Sequence, residues 1–220
     1  MVTQRRIGVL ASGGVESCAL VGQVARAGHR VVPIYIISGL RWEPAERYWL
    51  RRFLRTLPKT AHVQQLVELA LPVGDLYGRH WSLGHGHVPG ASSDDAAVYL
   101  HGRNLLLTVK AALYCAQQRI PQLAIGVLHS NPFSDSSARF FRQVSNAVAT
   151  AVGRRVRILR PFANASKVDV IRAANALPLH LSFSCIDPRG RHHCGRCNKC
   201  AERRRAFRAA GVVDRTEYAV

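Results

Sequence analysis

Cys185, Cys194, Cys197 and Cys200 fall within sixteen residues near the C-terminus. The run S-C-I-D-P-R-G-R-H-H-C-G-R-C-N-K-C contains two overlapping Cys-x-x-Cys steps, with a fourth thiol nine residues upstream. Tetrahedral zinc takes four soft thiolates at such spacing, and closing the cage folds a segment with little apolar content of its own. Six cysteines would also allow three disulfides. However, Cys194, Cys197 and Cys200 stand too close to pair with one another, and clustered cysteines in a cytosolic chain read as metal ligands. The spacing therefore predicts a structural Zn2+ on these four residues. His192 and His193 border the cage and either is able to replace a thiolate. With four cysteines at hand, both are placed outside the coordination shell. Cys18 and Cys115 sit in apolar helical patterns and read as buried structural thiols.

Upstream of the cage the pattern alternates. Residues 6–11 (R-I-G-V-L-A) read as a buried strand, 16–27 as a helix with Gly28 as C-cap, and 30–37 as a second strand rich in β-branched residues. Pro33 in that strand marks a bulge or a strand start. Residues 43–57 carry an apolar stripe of Leu50, Phe53, Leu54 and Leu57, with Arg51, Arg52 and Arg55 outward. A third strand is expected within 63–69, a loop or lid over 71–93, a helix over 104–118, a strand over 122–128 and a polar loop over 129–137. A helix over 138–152, a short strand over 156–159, a helix over 166–176 capped by Ser166 with Asp169 at its third position, and a basic helix over 201–210 complete the pattern. Strand-helix alternation without hairpin signals implies a doubly wound, mostly parallel α/β sheet, with binding loops at the carboxyl ends of the strands. The expected division is a nucleotide-binding domain over residues 1–180 and a zinc-binding module over 181–220.

Composition narrows the function class. A hydrophobic fraction of 48% supports a proper core, and no apolar run approaches the ~20 residues that span a bilayer. The opening stretch is too short for a signal peptide, so a cytoplasmic location is expected. Thirty-one basic against thirteen acidic residues leave a net charge of +18. This surplus favours anionic partners such as nucleotides and pyrophosphate, with nucleic acid as a secondary partner.

The turn Ala11-Ser12-Gly13-Gly14-Val15-Glu16-Ser17 joins the first strand to the first helix. Backbone amides converge there, the helix dipole favours an anion, and Ser12 and Ser17 add hydroxyls. The turn lacks the Lys of a Walker A loop and the G-x-G-x-x-G of a dinucleotide fold. It resembles the S-G-G-x-D-S pyrophosphatase loop of N-type ATP pyrophosphatases. The C-x8-C-x2-C-x2-C run with its basic helix is similar to the zinc module of one branch, the 7-cyano-7-deazaguanine synthase family. His101-Gly102-Arg103-Asn104, Ile125-Gly126-Val127 with the polar loop behind it, and Pro161 with Lys167 resemble further segments of that family in the same order.

The resemblance implies an adenine nucleotide alpha hydrolase-like fold and an ATP-dependent ligase of the queuosine pathway. Such an enzyme turns 7-carboxy-7-deazaguanine and ammonia into the nitrile preQ0 with Mg2+, and the resemblance also implies a homodimer. It places residues 11–17 on the nucleotide and gives catalytic roles to Ser12, Glu16, Arg103 and Lys167. Two departures stand out. Glu16 occupies the position of the loop's Asp, and Ser38-Gly39-Leu40-Arg41-Trp42 replaces a Y-G-Q-R-H pattern. Other carboxylate or tRNA substrates, or a nucleotide-binding protein with impaired catalysis, are the alternatives these departures raise. Asp135 is read as capping the following helix in preference to holding magnesium. Ser134 and Ser136 are read as turn formers, His85 and His87 as solvated. Trp42, Trp49 and Trp81 are core or interface anchors, with Trp42 also able to stack on a purine.

Overall fold

The computed structural model describes residues 4–131 and 133–220; the first three residues of the opening stretch and Pro132 of the polar loop lie outside it. Five strands form one parallel sheet in the order β3-β2-β1-β4-β5: β1 (Arg6–Leu10), β2 (Arg30–Ile37), β3 (Val67–Ala70), β4 (Gln122–Ala124) and β5 (Arg157–Leu159). The order reverses between β1 and β4, which is where open α/β sheets place their ligands.

Alternation along the strands feeds two separate cores. Ile7, Val9, Val31 and Tyr35 face one side, packing with α1 (Val15–Arg26), α2 (Glu43–Thr56), α6 (Lys167–Ala173) and α7 (Asn198–Ala210). Val32, Ile34, Ile36 and Leu123 face the other, packing with α4 (Arg103–Gln117) and α5 (Ala138–Val152). Cys18 and Cys115 are fully buried in α1 and α4 as expected. Leu50 and Phe53 are the fully buried stripe of α2, and Arg51, Arg52 and Arg55 are exposed.

Pro33 sits mid-strand and its tolerance has a local cause. The amide of Val31 donates toward the β3 side, to His62, so the next position of that phase, Pro33, would have to do the same. Between the Val31–Val63 bridge and the Ile34–Val67 pair, β2 advances three residues while the partner advances four. The ladder is interrupted opposite the missing N–H, the bulge compatible with proline.

Three expectations need correction. The strand expected over 122–128 ends at Ala124, because Ile125, Gly126 and Val127 leave the sheet and line a cavity. The segment 71–93 contains no strand, but it is not merely a lid. It forms the short helix α3 (Gly74–Tyr77), buries Val73 and Ser82, and stacks Trp81 on Trp42 with ring centroids 5.7 Å apart. The basic terminal helix begins at Asn198 rather than 201, and its Arg203 is buried. The Arg203 guanidinium donates to the Leu179 carbonyl at 2.9 Å and the Ser182 hydroxyl at 2.8 Å, and lies over the Phe207 ring. No described helix is long and apolar enough to cross a membrane.

Candidate active site

The turn leaving β1 is built to leave amides free. Gly13 adopts φ +84°, and a Cβ there would stand 3.2 Å from the Glu46 carbonyl oxygen and from Leu50 Cβ. This is a conformation and a contact that glycine alone accepts readily. Gly14 is the N-cap of α1 with no side chain capping the helix, and the first helical bond runs from the Cys18 amide to the Gly14 carbonyl. The amides of Val15, Glu16 and Ser17 therefore have no helical acceptor. Ser17 Oγ donates to the Gly14 carbonyl at 3.1 Å and lies 3.5 Å from Ser12 Oγ. The turn is fastened from outside by the Phe183 amide, which donates to the Gly13 carbonyl at 2.7 Å.

Two adjoining cavities of about 190 and 310 Å3 open over this turn. Ser12, Glu16, Glu46, Arg103, Gly126 and Asn131 line both. Gly126 lets the strand-end loop of β4 pass the start of α1, since a Cβ there would meet Glu16 Cβ at 3.2 Å. The smaller cavity runs along the ends of β1 and β2. The larger one is walled by Trp42, Trp81, Lys167, Phe183, Lys199 and Glu202, among others.

Of the residues singled out by sequence, Ser12, Glu16, Arg103 and Lys167 are brought together on the walls of this cleft. Ala11, Gly14 and Ser17 also line it, while the Val15 side chain is buried in the core and offers only its amide. Lys167 is the centre of a charge network: Nζ lies 3.0 Å from Glu16 Oε1 and 2.6 Å from Glu202 Oε1. Lys199 closes the network on Glu202 Oε2 at 2.7 Å. Burial lowers the Lys167 pKa, but the two carboxylates outweigh it and raise the pKa above the ordinary lysine value. Burial raises Glu202, and the two lysines overcome that to hold it near 2. The extra methylene of Glu16 thus spans from the turn to α6.

Asp135 does not cap the helix that follows it; Ser137 does, accepting from the Phe140 amide at 3.1 Å. Asp135 instead receives the Asn104 amide at 3.1 Å and its side-chain nitrogen at 3.2 Å, closing the N-terminus of α4 and so fixing Arg103. Ser136 acts as a turn former, its hydroxyl donating to the Phe133 carbonyl. Ser166 and Asp169 form the expected capping box, and His85 and His87 are exposed.

The loop after β2 accounts for the departures at 38–42. Glu43 is buried and accepts the amides of Ser38 at 2.8 Å and Gly39 at 3.0 Å. Leu40 and Trp42 are buried in one apolar cluster with Phe183, Ile186 and the four clustered cysteines. Leu40 is a packing residue, while Trp42 both packs and walls the larger cavity. Arg41 pairs with Asp187 at 2.8 Å, tying this loop to the cysteine segment.

Glu46 was not singled out from sequence. Its signal was its position: it lies four residues before Leu50 and seven before Phe53, an acid on the apolar stripe of α2. It is 8% exposed, and its Oε2 accepts the Tyr35 hydroxyl at 2.7 Å.

The four sulfurs of Cys185, Cys194, Cys197 and Cys200 lie within 4.8 Å of one another, all buried. Cys185 and Cys197 are 3.8 Å apart and Cys194 and Cys200 4.0 Å. Four thiolates at ~2.3 Å around one tetrahedral ion stand about 3.8 Å apart, so the donor set fits a single metal ion. Amides of Asp187, Cys194 and Cys197 donate to cage sulfurs at 3.3 Å each, orienting the ligands. His193 stays outside the shell; it is buried, and its Nε2 accepts the Ser184 amide at 3.0 Å.

The 7-cyano-7-deazaguanine synthase of Methanoculleus marisnigri is 29% identical over 215 residues, covering 95% of this chain and 96% of its own. The synthase of Sulfolobus acidocaldarius is 28% identical over 229 residues, 98% of this chain. The chain spans 48% of that relative's length, and 47% of the length of the synthase of Saccharolobus solfataricus. Among solved structures, the U34-tRNA thiolase NcsA of Methanococcus maripaludis superposes with a TM-score of 0.51 at 11% identity, over 98% of this chain and 75% of that one, which shows the adenine nucleotide alpha hydrolase-like fold. The profile of the family described as queuosine biosynthesis protein QueC matches residues 6–211, from β1 to the end of α7, and the chain belongs to that family.

Proposed function

We propose that the chain converts 7-carboxy-7-deazaguanine and ammonia to 7-cyano-7-deazaguanine (preQ0) at the expense of ATP, through an adenylated intermediate. The observation that carries this reading is the turn 12–17, whose free amides open into two joined cavities at the switch point of the sheet in a chain of this family. A carboxylate is a poor electrophile because its leaving group is poor. Its oxygen attacks the α-phosphorus, the bond to the β-phosphate oxygen breaks, and pyrophosphate leaves into the amides of Val15, Glu16 and Ser17 with the hydroxyls of Ser12 and Ser17. Ammonia displaces AMP to give the amide. A second adenylation on the amide oxygen, with loss of one nitrogen proton, then permits loss of AMP and the last nitrogen proton to the nitrile.

Arg103, at the wall common to both cavities, stands where carboxylate and α-phosphate meet and offers bidentate donors to either. Lys167 offers its third N–H to the departing phosphates while Nζ stays paired with Glu16 and Glu202. Glu16 Oε1 is engaged by Lys167, which leaves Oε2 as a carboxylate ligand for Mg2+ beside the phosphate oxygens. Bound there, Mg2+ neutralises charge on the triphosphate. The cage is read as a structural Zn2+ site, a reading supported by four buried sulfurs within 4.8 Å of one another, a spread that suits one tetrahedral ion. In this reading residues 1–180 bind nucleotide and residues 181–220 close the larger cavity, in a cytoplasmic homodimer.

The test is product analysis after incubation with ATP, Mg2+, ammonia and the carboxylate. The nitrile should appear with AMP, and Ser12→Ala should raise the KM for ATP. Persistence of the carboxylate with the wild-type protein would overturn the assignment. The charge of +18 supports a second reading, in which the adenylated group sits on tRNA. A steep fall of tRNA affinity with salt would favour it.

A further inference from the structure

Four carboxylates line the cleft, and three are held in ion pairs. Glu16 pairs with Lys167 at 3.0 Å, Glu202 with Lys167 at 2.6 Å and Lys199 at 2.7 Å, and Asp95 with Lys199 at 3.6 Å. Glu46 joins none of the ion pairs among the described residues, although it lines both cavities. Tyr35 holds its Oε2, and Oε1 receives no hydrogen bond from the described protein. The carboxylate is therefore fixed in orientation at the junction of the two cavities, with one oxygen uncommitted.

The function proposed above sheds three protons from nitrogen, one when ammonia attacks and two as the amide becomes the nitrile. Resting on that reading, we propose that Glu46 is the general base that accepts these protons. In the first transfer the C–N bond forms, the electron pair of the C–O bond leaves with AMP, and the ammonium proton passes to Glu46 Oε1. In the second, the amide nitrogen gives one proton to Oε1 as its oxygen is adenylated, leaving the neutral imidate; once Oε1 has passed that proton to solvent, the imidate nitrogen gives its last proton to Oε1, its N–H electrons form the third C–N bond, and the C–O pair leaves with AMP. The paired carboxylates are unsuited to this task because accepting a proton would forfeit their lysine partners.

The groups facing Glu46 set its proton affinity. They are Tyr35 from β2, Glu43 from its own helix, Arg103 from α4, Glu16 and Cys18 from α1, and Lys167 from α6 across the larger cavity. Burial raises its pKa most, Arg103 and the Tyr35 bond pull it back, and Glu43 adds to the rise; the balance is about 7. A base with that affinity works efficiently near neutral pH.

The experiment separates the half-reactions. The 7-carboxamide is supplied with ATP and Mg2+, which removes the ionisation of ammonia from the pH profile, and nitrile formation is followed from pH 5.5 to 9. In parallel, labelled pyrophosphate exchange into ATP is followed with the carboxylate and no ammonia, a step that needs no base. Glu46→Gln keeps an oxygen for the Tyr35 hydroxyl. The variant should lose about 10²–10⁴-fold in nitrile formation, together with the ascending limb near pH 7, while the exchange stays at its wild-type rate and reports an intact cleft. Retention of the rate and the limb in Glu46→Gln would overturn the proposal, as would an equal fall of both half-reactions, which would mark Glu46 as a packing residue. A wild-type protein silent with both carboxylate and carboxamide would overturn the functional reading itself, and this inference with it.

Discussion

Glu46 is a base stored at a cost. In an unfolded chain its carboxyl titrates near the ordinary value of 4.5; folded, it titrates near 7. A raised carboxyl binds its proton more tightly in the native state. The associated stability is present below pH 4.5 and is lost as pH rises through 7. Glu46→Gln is therefore expected to be more stable than the wild type at pH 8, by on the order of 3 kcal/mol, and indistinguishable at pH 4. Urea denaturation at the two pH values checks this, and an equal effect at both would contradict it. Gly13 makes the opposite kind of prediction. Gly13→Ala forces a side chain into φ +84° and against the backbone of α2. A loss of about 1–2 kcal/mol is expected from the left-handed conformation alone, with ATP affinity falling as the turn amides are displaced; calorimetric titration with ATP measures the second effect.

At the scale of elements, α7 carries the link between the cage and the cleft. Cys197 is its N-cap and Cys200 lies in its first turn, so closing the cage fixes the helix start. Glu202, two residues further on, is then presented to Lys167. Cys197→Ser should lower bound zinc below the ~one ion per chain expected of the wild type and reduce solubility. Metal analysis decides this, and full metal retention would contradict the four-thiolate cage. The sequence showed this helix only as basic, since a run of arginines does not say which of them is buried. Tertiary packing decides this for Arg203, whose guanidinium meets carbonyls of the 179–182 segment. The strands and α5 were legible from β-branched runs and helical periodicity. The short end of β4 was not, because Ile125 and Val127 are apolar for the sake of a cavity wall, which leaves the same trace as a strand.

For the whole molecule, the doubly wound architecture and the place of the turn followed from alternation alone, while the strand order did not. The positions of Ser12, Glu16, Arg103 and Lys167 around one cleft were legible through motif order. What sequence could not show was pairing across the fold. Lys167 reads as a free cation until Glu16 and Glu202 are seen beside it, and Asp135 reads as a local cap until Asn104 is found above it. The net charge of +18 is a property of the same scale. Binding of ATP and Mg2+ at 100 times Kd should stabilise the fold by about 2.7 kcal/mol, read as a rise in Tm that Ser12→Ala diminishes at the same concentration.

The turn 12–17 is the proposed seat of the nucleotide's phosphates. A crystal structure with ATP and Mg2+ bound tests this most directly. Phosphate oxygens are expected within hydrogen-bonding distance of the amides of Val15, Glu16 and Ser17, with Arg103 and Lys167 turned toward the triphosphate. A turn left empty, with nucleotide bound elsewhere or those amides engaged by the protein itself, would contradict it.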